Sequence, residues 1–416
     1  MKIMTKTKIW MLSFLFITAL MVSCEKDPEG DAPVADFSAD IVSATVGQNI
    51  QFTDLSTEDP TSWSWSFGDS NTSTSQNPTH SFDAEGTYTV SLTATNEFGS
   101  DDVTKTDYIT VTTAASEAEI LITYLESVDS PLGKYYVNTD MPAIKSAEAV
   151  KTLMATQEVY IIDIRGAAAW DTAHIEGSVN MAAADVLDHI ETTDLSAYSD
   201  ISIVCYTGQT AGWLTSILRI AGIDNVSSMK FGMCSWHDDF AGPWNSNIGN
   251  GAILDFDQVA VSKGAEGDLP NLTTGFETGA DILDARLDAV LAEGFGEAAV
   301  GNTTVLDNKD DYYIINYWPA AEYDDPGHII GAMQYTPKVD IALDAALKTL
   351  PADETIVVYC YTGQNSANLA AYLRLIGYDA KSLKFGTNGM IYDQMTKSQW
   401  TDGAIMGYDY WTPPVK

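Results

Sequence analysis

The sequence predicts a multidomain chain: one all-β sandwich followed by two α/β domains with parallel sheets. Three observations carry this. Trp63, Trp65 and Phe67, and then Tyr88, Val90, Leu92 and Ala94, alternate with Ser and Thr at period two, as half-buried strands do. The stretch CYTGQTAGWLTSILRIAG from Cys205 returns as CYTGQNSANLAAYLRLIG from Cys360, nine of eighteen residues identical at an offset of 155. In each copy a continuous apolar run leads through a tight loop into a helical pattern.

Length and charge bound the reading. At roughly 150 residues per domain, 416 residues suggest about three domains. Acids outnumber bases 58 to 21, and a chain starting at Cys24 would carry 18 bases against 58 acids, or −40. That argues against nucleic acid, whose binding rests on clustered Lys and Arg. It also disfavours anionic substrates at long range, although local fields win within a Debye length of about 8 to 10 Å.

The N-terminus reads as an export signal. Lys2, Lys6 and Lys8 precede a predominantly apolar run of fourteen residues, Ile9 to Val22, too short for a spanning helix of about 20. The run ends in Met21-Val22-Ser23-Cys24, which resembles a bacterial lipoprotein signal with Cys24 as the acylated mature N-terminus. Residues 24–33 then serve as a polar tether. Export to the cell envelope, with a membrane anchor at Cys24, on the periplasmic face or the cell surface, is the expectation. Three other cysteines remain, Cys205, Cys234 and Cys360. An odd number leaves at least one thiol unpaired within the molecule, so they do not make a disulfide scaffold.

Residues 34–112 form the β segment. Gly68 and Asp69, in the turn cluster GDSNTS, can supply a positive φ and a side-chain-to-backbone hydrogen bond. WSFGDS followed by NPTHSFDAEGTYTVSLTATNEFG resembles the PKD (polycystic-kidney-disease) domain, which implies an immunoglobulin-like sandwich. The family commonly has Gly where this chain has Ser70. No arrangement here does chemistry, so a spacer or a contact module for cell-surface proteins or glycans is expected. Twelve acids against one base between 34 and 112 read as a solvated surface in preference to a Ca²⁺ site.

The repeat sets two further domains, 118–262 and 263–413. HIEGS at His174 matches HIIGA at His328, MKFG at Met229 matches LKFG at Leu383, and NGA at Asn250 matches DGA at Asp402. VYIIDI, ISIVCY, YYIINY and TIVVYCY suit parallel strands buried on both faces. Helices are predicted after each cysteine, stopped by Gly222 and Gly377. Each cysteine thus lies at the carboxyl end of a parallel strand, where open α/β sheets bind ligands.

Asp163, Arg165, Trp170, His174 and the loop Cys205 to Ala211, with Glu322, Tyr323, His328 and the loop Cys360 to Ser366, resemble the rhodanese domain. That resemblance implies transfer of a sulfane sulfur through a cysteine persulfide, from small sulfur donors to thiol acceptors, with no cofactor and no metal. The chemistry also follows from the loop. Backbone amides that open a helix are unpaired and point at the preceding sulfur. In the first copy these are the amides of Tyr206, Thr207, Gly208, Gln209, Thr210 and Ala211. In the second they are those of Tyr361, Thr362, Gly363, Gln364, Asn365 and Ser366. Such amides favour a nucleophilic thiolate on Cys205 and Cys360.

The remaining polar residues read as support. His174 and His328 stabilise turns in preference to acting as bases, and Asp163 and Arg165 pair at a strand end. Arg219 and Arg374 lie more than two helical turns beyond the loops and are assigned to surface or packing. Lys230 and Lys384, in the shared KFG, are the nearest cations for an anionic substrate, a placement implied by the resemblance. Cys234 reads either as a thiol that resolves a persulfide on Cys205 or forms a disulfide with it, or as a buried free cysteine.

The departures narrow the substrate. The fifth position after each cysteine, often Arg in rhodaneses, is Thr210 or Asn365, and neither loop carries a charge. Persulfide or polysulfide donors are therefore expected over thiosulfate. The sixth position is Ala211 or Ser366, which removes the Arg that a phosphatase needs to clamp phosphate. Asn316 and Trp318 replace the usual Asp and Arg in the second copy, and Ala169 replaces Glu in the first. The alternative is a catalytically silent rhodanese-fold binding or adhesion protein with a PKD spacer, but a silent module has no need of two CYTGQ segments.

Overall fold

The computed structural model describes residues 30–414, which divide into two compact units with the chain boundary between Ala114 and Ala115. The expected signal and Cys24 lie outside the described residues. Among the described residues no helix is long and apolar enough to cross a membrane.

The first unit has strands β1 (Phe37–Ala39), β2 (Ser43–Thr45), β3 (Ile50–Asp54), β4 (Ser62–Ser66), β5 (Thr72–Ser73), β6 (Thr79–His80), β7 (Gly86–Asn96) and β8 (Gly99–Thr112). They form two sheets, β1-β3-β6 and β2-β8-β7-β4-β5, antiparallel except where β2 lies parallel to β8. Alternation along β4 and β7 drives Trp65, Val90, Leu92 and Ala94 into a core shared with Phe37, Phe52, Phe67 and Phe82. The indole N–H of Trp65 is satisfied by Ser75 O at 2.9 Å. In the β4–β5 turn Gly68 has φ +86°, and Asp69 Oδ1 accepts from the Asn71 amide at 2.9 Å. Ser70 sits at φ 75°, a left-handed conformation that explains why glycine is usual there.

The second unit holds two sheets of one design. The first has strands β9 (Ile144–Lys145), β10 (Val159–Asp163), β11 (Val179–Asn180), β12 (Asp200–Val204) and β13 (Val226–Met229), ordered β11-β10-β12-β13-β9 and parallel throughout. The second has β14 (Ala299–Val300), β15 (Tyr313–Asn316), β16 (Met333–Gln334), β17 (Ile356–Tyr359) and β18 (Ala380–Leu383), ordered β14-β18-β17-β15-β16 and again parallel. Helix α1 (Gln209–Ile220) follows β12 and helix α2 (Gln364–Leu375) follows β17. Gly222 at φ 103° and Gly377 at φ 105° lie just past their ends. The two helices pack on each other, and Gly212 lets them close: a Cβ there would lie 3.0 Å from Asn368 Nδ2. One apolar core runs from Leu121 and Leu214 through to Ile356 and Tyr372, so the two sheets share an interior.

The repeats also exchange their ends. Phe256 and Asp257 pair antiparallel with Ile329 and His328, and Gly249 N donates to Asn388 O at 2.9 Å, so the segment closing the first repeat packs on the second. In return Met406 N donates to Ser235 O and Tyr408 N to Trp236 O, both at 2.9 Å, while Trp411 and His174 exchange backbone bonds. The exchange cuts across the sequence boundary at 262/263. Trp400 anchors the returning tail: it stacks on Trp244 at 5.7 Å, meets Phe231 edge-on at 5.2 Å, and donates to Asn245 Oδ1 at 2.7 Å. Trp400→Ala is expected to destabilise the second unit by ~3–5 kcal/mol, as for other buried Trp truncations. Urea unfolding would measure it, and a loss under ~1 kcal/mol would mean that the tail is dispensable.

Candidate active site

Each cysteine stands one residue past a central strand and faces the start of a helix. Cys205 Sγ accepts from the amides of Gly208 at 3.2 Å and Ala211 at 3.4 Å. Burial pushes the Cys205 thiol up, and the amides of Ala211, Thr207, Gly208 and Thr210 pull it down without cancelling the rise. The expected cradle of amides is present at Cys205, and loss of solvation opposes it. Cys360 Sγ accepts from the Ser366 amide at 3.4 Å and meets Ser366 Oγ at 3.5 Å. That hydroxyl also meets Ser382 Oγ at 2.8 Å. In the second loop, then, a side-chain hydroxyl stands where the first offers more amides. The amides of Tyr206, Gln209, Tyr361, Thr362, Gly363, Gln364 and Asn365 make no hydrogen bond to either sulfur among those described.

Each KFG turn grips the loop of its own domain. Met233 N donates to Cys205 O at 2.9 Å and Cys234 N to Tyr206 O at 3.1 Å, while Thr387 N and Asn388 N do the same to Cys360 O and Tyr361 O. A Cβ on Gly232 would lie 2.4 Å from Cys205 O, and one on Gly386 2.1 Å from Cys360 O. Only glycine lets turn and loop approach so closely.

The strand ends differ between the copies. Arg165 forks onto Asp163 (Nε to Oδ1 3.0 Å, Nη2 to Oδ2 2.7 Å), donates to Ala173 O, and lies 5.0 Å from the Tyr206 ring centre. In the second copy Trp318 stacks on Tyr361 at 4.4 Å and Asn316 donates to Tyr359 OH at 2.8 Å. Asn316 Oδ1 and Trp318 Nε1 are buried without partners. The tyrosine after each cysteine is thus capped by a guanidinium in one site and an indole in the other. Both imidazoles are committed elsewhere: His174 Nδ1 to Trp170 O at 2.7 Å, and His328 to Tyr323 O and Val259 O at 3.0 and 3.1 Å. Arg219 donates to Val226 O, and Arg374 pairs with Glu293 and Asp379.

Lys230 crosses to the other domain. With Ile144 it lines a cavity of about 260 Å³ whose other walls are Cys360, Tyr361, Thr362, Gln364, Asn365 and Ser398. It is the cavity's one cation, no carboxylate lines it, and burial lowers its pKa. Lys384 is exposed. Cys234 lies in the aromatic cluster of Phe231, Trp244 and Trp400, where burial pushes its thiol up to about 12. At neutral pH it is protonated, which favours a packing role over attack on a persulfide.

Several features were not anticipated from sequence: the Ser366 hydroxyl, the Trp318–Tyr361 stack, the bond from Tyr361 OH to Glu322 with Lys397 beyond it, and the side chains of Gln209 and Gln364, which leave their own domains. The one signal available for the glutamines was their recurrence at the same place in both loops. Among the described residues no cluster of three or more His, Cys, Asp or Glu could hold a metal.

Comparisons with known proteins agree with this architecture. The PKD domain model matches residues 30–111, and the Rhodanese-like domain model matches residues 146–239 and 303–391. The thiosulfate sulfurtransferase GlpE of Shewanella oneidensis is 26% identical over 93 residues, covering 22% of this chain and 90% of that protein. The PKD1 domain of Vibrio anguillarum Epp is 31% identical, covering 20% of this chain and all of that one, with a TM-score of 0.18. SseA of Escherichia coli, described as a 3-mercaptopyruvate sulfotransferase, is 20% identical, covering 60% of this chain and 99% of that one, with a TM-score of 0.22. The chain therefore carries a PKD domain followed by two rhodanese-like domains.

Proposed function

We propose that the protein is a sulfurtransferase that carries a sulfane sulfur as a persulfide on Cys205 and Cys360. The observation that carries this reading is the pair of loops that aim helix-opening amides at a sulfur. A thiolate attacks the outer sulfur of a donor, the donor's thiolate leaves with the bonding electron pair, and the new Cys–S–S⁻ rests against the amides. An acceptor thiolate then takes the outer sulfur and returns Cys–S⁻. Like charge and like atoms balance across both steps, and no oxidant is needed. The relative named a thiosulfate sulfurtransferase supports the reaction class at low identity.

The donor is a persulfide or polysulfide in preference to thiosulfate. Neither loop carries a charge, and the Cys360 cavity offers a single half-buried lysine. One cation matches a monoanionic persulfide better than the thiosulfate dianion, which would enter a strongly acidic protein half compensated. Export and acylation at Cys24 would put this chemistry at the cell envelope, with the PKD domain as spacer or as contact for cell-surface proteins or glycans.

Replacing both Cys205 and Cys360 by Ser is expected to abolish sulfur transfer, and a wild-type rate in that variant would overturn the reading. Glutathione persulfide should give a higher kcat/KM than thiosulfate; equal or reversed values would refute the donor preference. In a Cys205→Ser background Lys230→Met should slow loading of Cys360 roughly tenfold, the size of one hydrogen bond to a charged group at about 1.5 kcal/mol. Because burial raises the Cys205 thiol above its ordinary 9.0, its alkylation rate should still be climbing beyond pH 9.0, whereas a plateau at neutral pH would mean that the amides win.

A further inference from the structure

The two thiol loops are joined through a pair of side chains that no catalytic step uses. Gln364 opens α2 in the second rhodanese-like domain, yet its buried carboxamide works in the first. Its Oε1 accepts from the Phe231 amide at 3.0 Å, and its Nε2 donates to Gly208 O at 3.2 Å and Met229 O at 3.4 Å. Gln209, which opens α1, reaches the opposite way: its Oε1 accepts from the Phe385 amide at 3.0 Å, and its Nε2 stays at home on Thr207 Oγ1. Both Phe231 and Phe385 have left-handed backbones, φ 61° and 63°, a conformation that a bulky residue keeps only when its surroundings impose it. Their amides are held by the opposite glutamine, and the turns they begin grip the carbonyls of Cys205, Tyr206, Cys360 and Tyr361.

The loop glycines fit this arrangement. A Cβ on Gly208 would lie 2.4 Å from Gln364 Nε2, and one on Gly363 2.7 Å from Gln209 Oε1. Each glycine in the repeated YTGQ thus leaves room for the glutamine of the other copy, besides taking a positive φ.

We infer that each thiol loop is set by the glutamine of the other domain: Gln364 is a positioning residue for Cys205, and Gln209 for Cys360. Gln364 makes three bonds across the interface and Gln209 one, so the control of Cys205 is the stronger. This deepens the sulfurtransferase reading, which it rests on for its functional meaning, while alkylation of the thiols tests it without any sulfane sulfur.

The test is the alkylation rate of each cysteine against pH in the full chain, read by peptide mass spectrometry. In Gln364→Met the Cys205 rate at neutral pH should fall about fivefold or more, with its profile moved to higher pH, as expected when the amides lose their aim and three bonds are deleted. Cys360, whose cavity Gln364 also lines, should slow clearly less than Cys205. In Gln209→Met, the milder change, Cys360 should slow more than Cys205. Thermal unfolding of both variants accompanies the labelling, and Gln209→Met carries the test if Gln364→Met does not fold. Slowing confined to the cysteine of the substituted domain, equal slowing of both, or no change in either would overturn the inference. Sulfur transfer that fails in the wild type while the crossed pattern holds would instead count against the sulfurtransferase reading alone.

Discussion

Two buried carboxamides reach across between the rhodanese-like domains, and the loops around Cys205 and Cys360 are built about them. A glutamine taken out of water must find partners for one acceptor and two donor hydrogens, and each unmade bond costs about 1–3 kcal/mol. Gln364 finds its partners in the backbone of Gly208, Met229 and Phe231, and Gln209 its acceptor's partner in Phe385. This arrangement fits glycine at 208 and 363 and the two phenylalanines with left-handed backbones. The crossing tails serve the same end: Trp400 seals the aromatic cluster beside Phe231, and the 249–261 segment covers the second domain.

Within this near-symmetric frame the two sites have diverged in polarity. The first keeps a buried Asp163–Arg165 fork whose guanidinium lies over Tyr206, and its sulfur is held by backbone amides alone. The second has an indole over Tyr361, a hydroxyl beside its sulfur, and an open cavity whose cation comes from the other domain. A guanidinium committed to its own carboxylate adds no free charge, whereas Lys230 does. The site that lacks the ion pair is thus the one with a cation facing a cavity.

Much of the architecture was legible in the sequence because its physics is local. Period-two alternation marked β4 and β7, continuous apolar runs marked the parallel strands, and Gly222 and Gly377 marked the helix ends. The strand–loop–helix order alone put Cys205 and Cys360 at carboxyl strand ends. What could not be read depends on which repeat packs against which. The exchange of tails, the reach of Gln209 and Gln364, and the delivery of Lys230 to Cys360 instead of Cys205 all arise from contacts between segments far apart in the chain, 133 residues for Gln364–Phe231, and no periodicity encodes them. The rise of the Cys205 thiol was missed for a related reason. Amides near a sulfur can be inferred from a loop, but the burial that opposes them belongs to the packed tertiary structure.

The central claim is that sulfur enters and leaves through the two loop cysteines, and intact mass tests it most directly. After exposure to a sulfane-sulfur donor the purified protein should gain up to two sulfur atoms, mapped to Cys205 and Cys360, and lose them on treatment with a thiol. An unchanged mass, or sulfur retained on Cys234 or elsewhere after the thiol, would contradict the account.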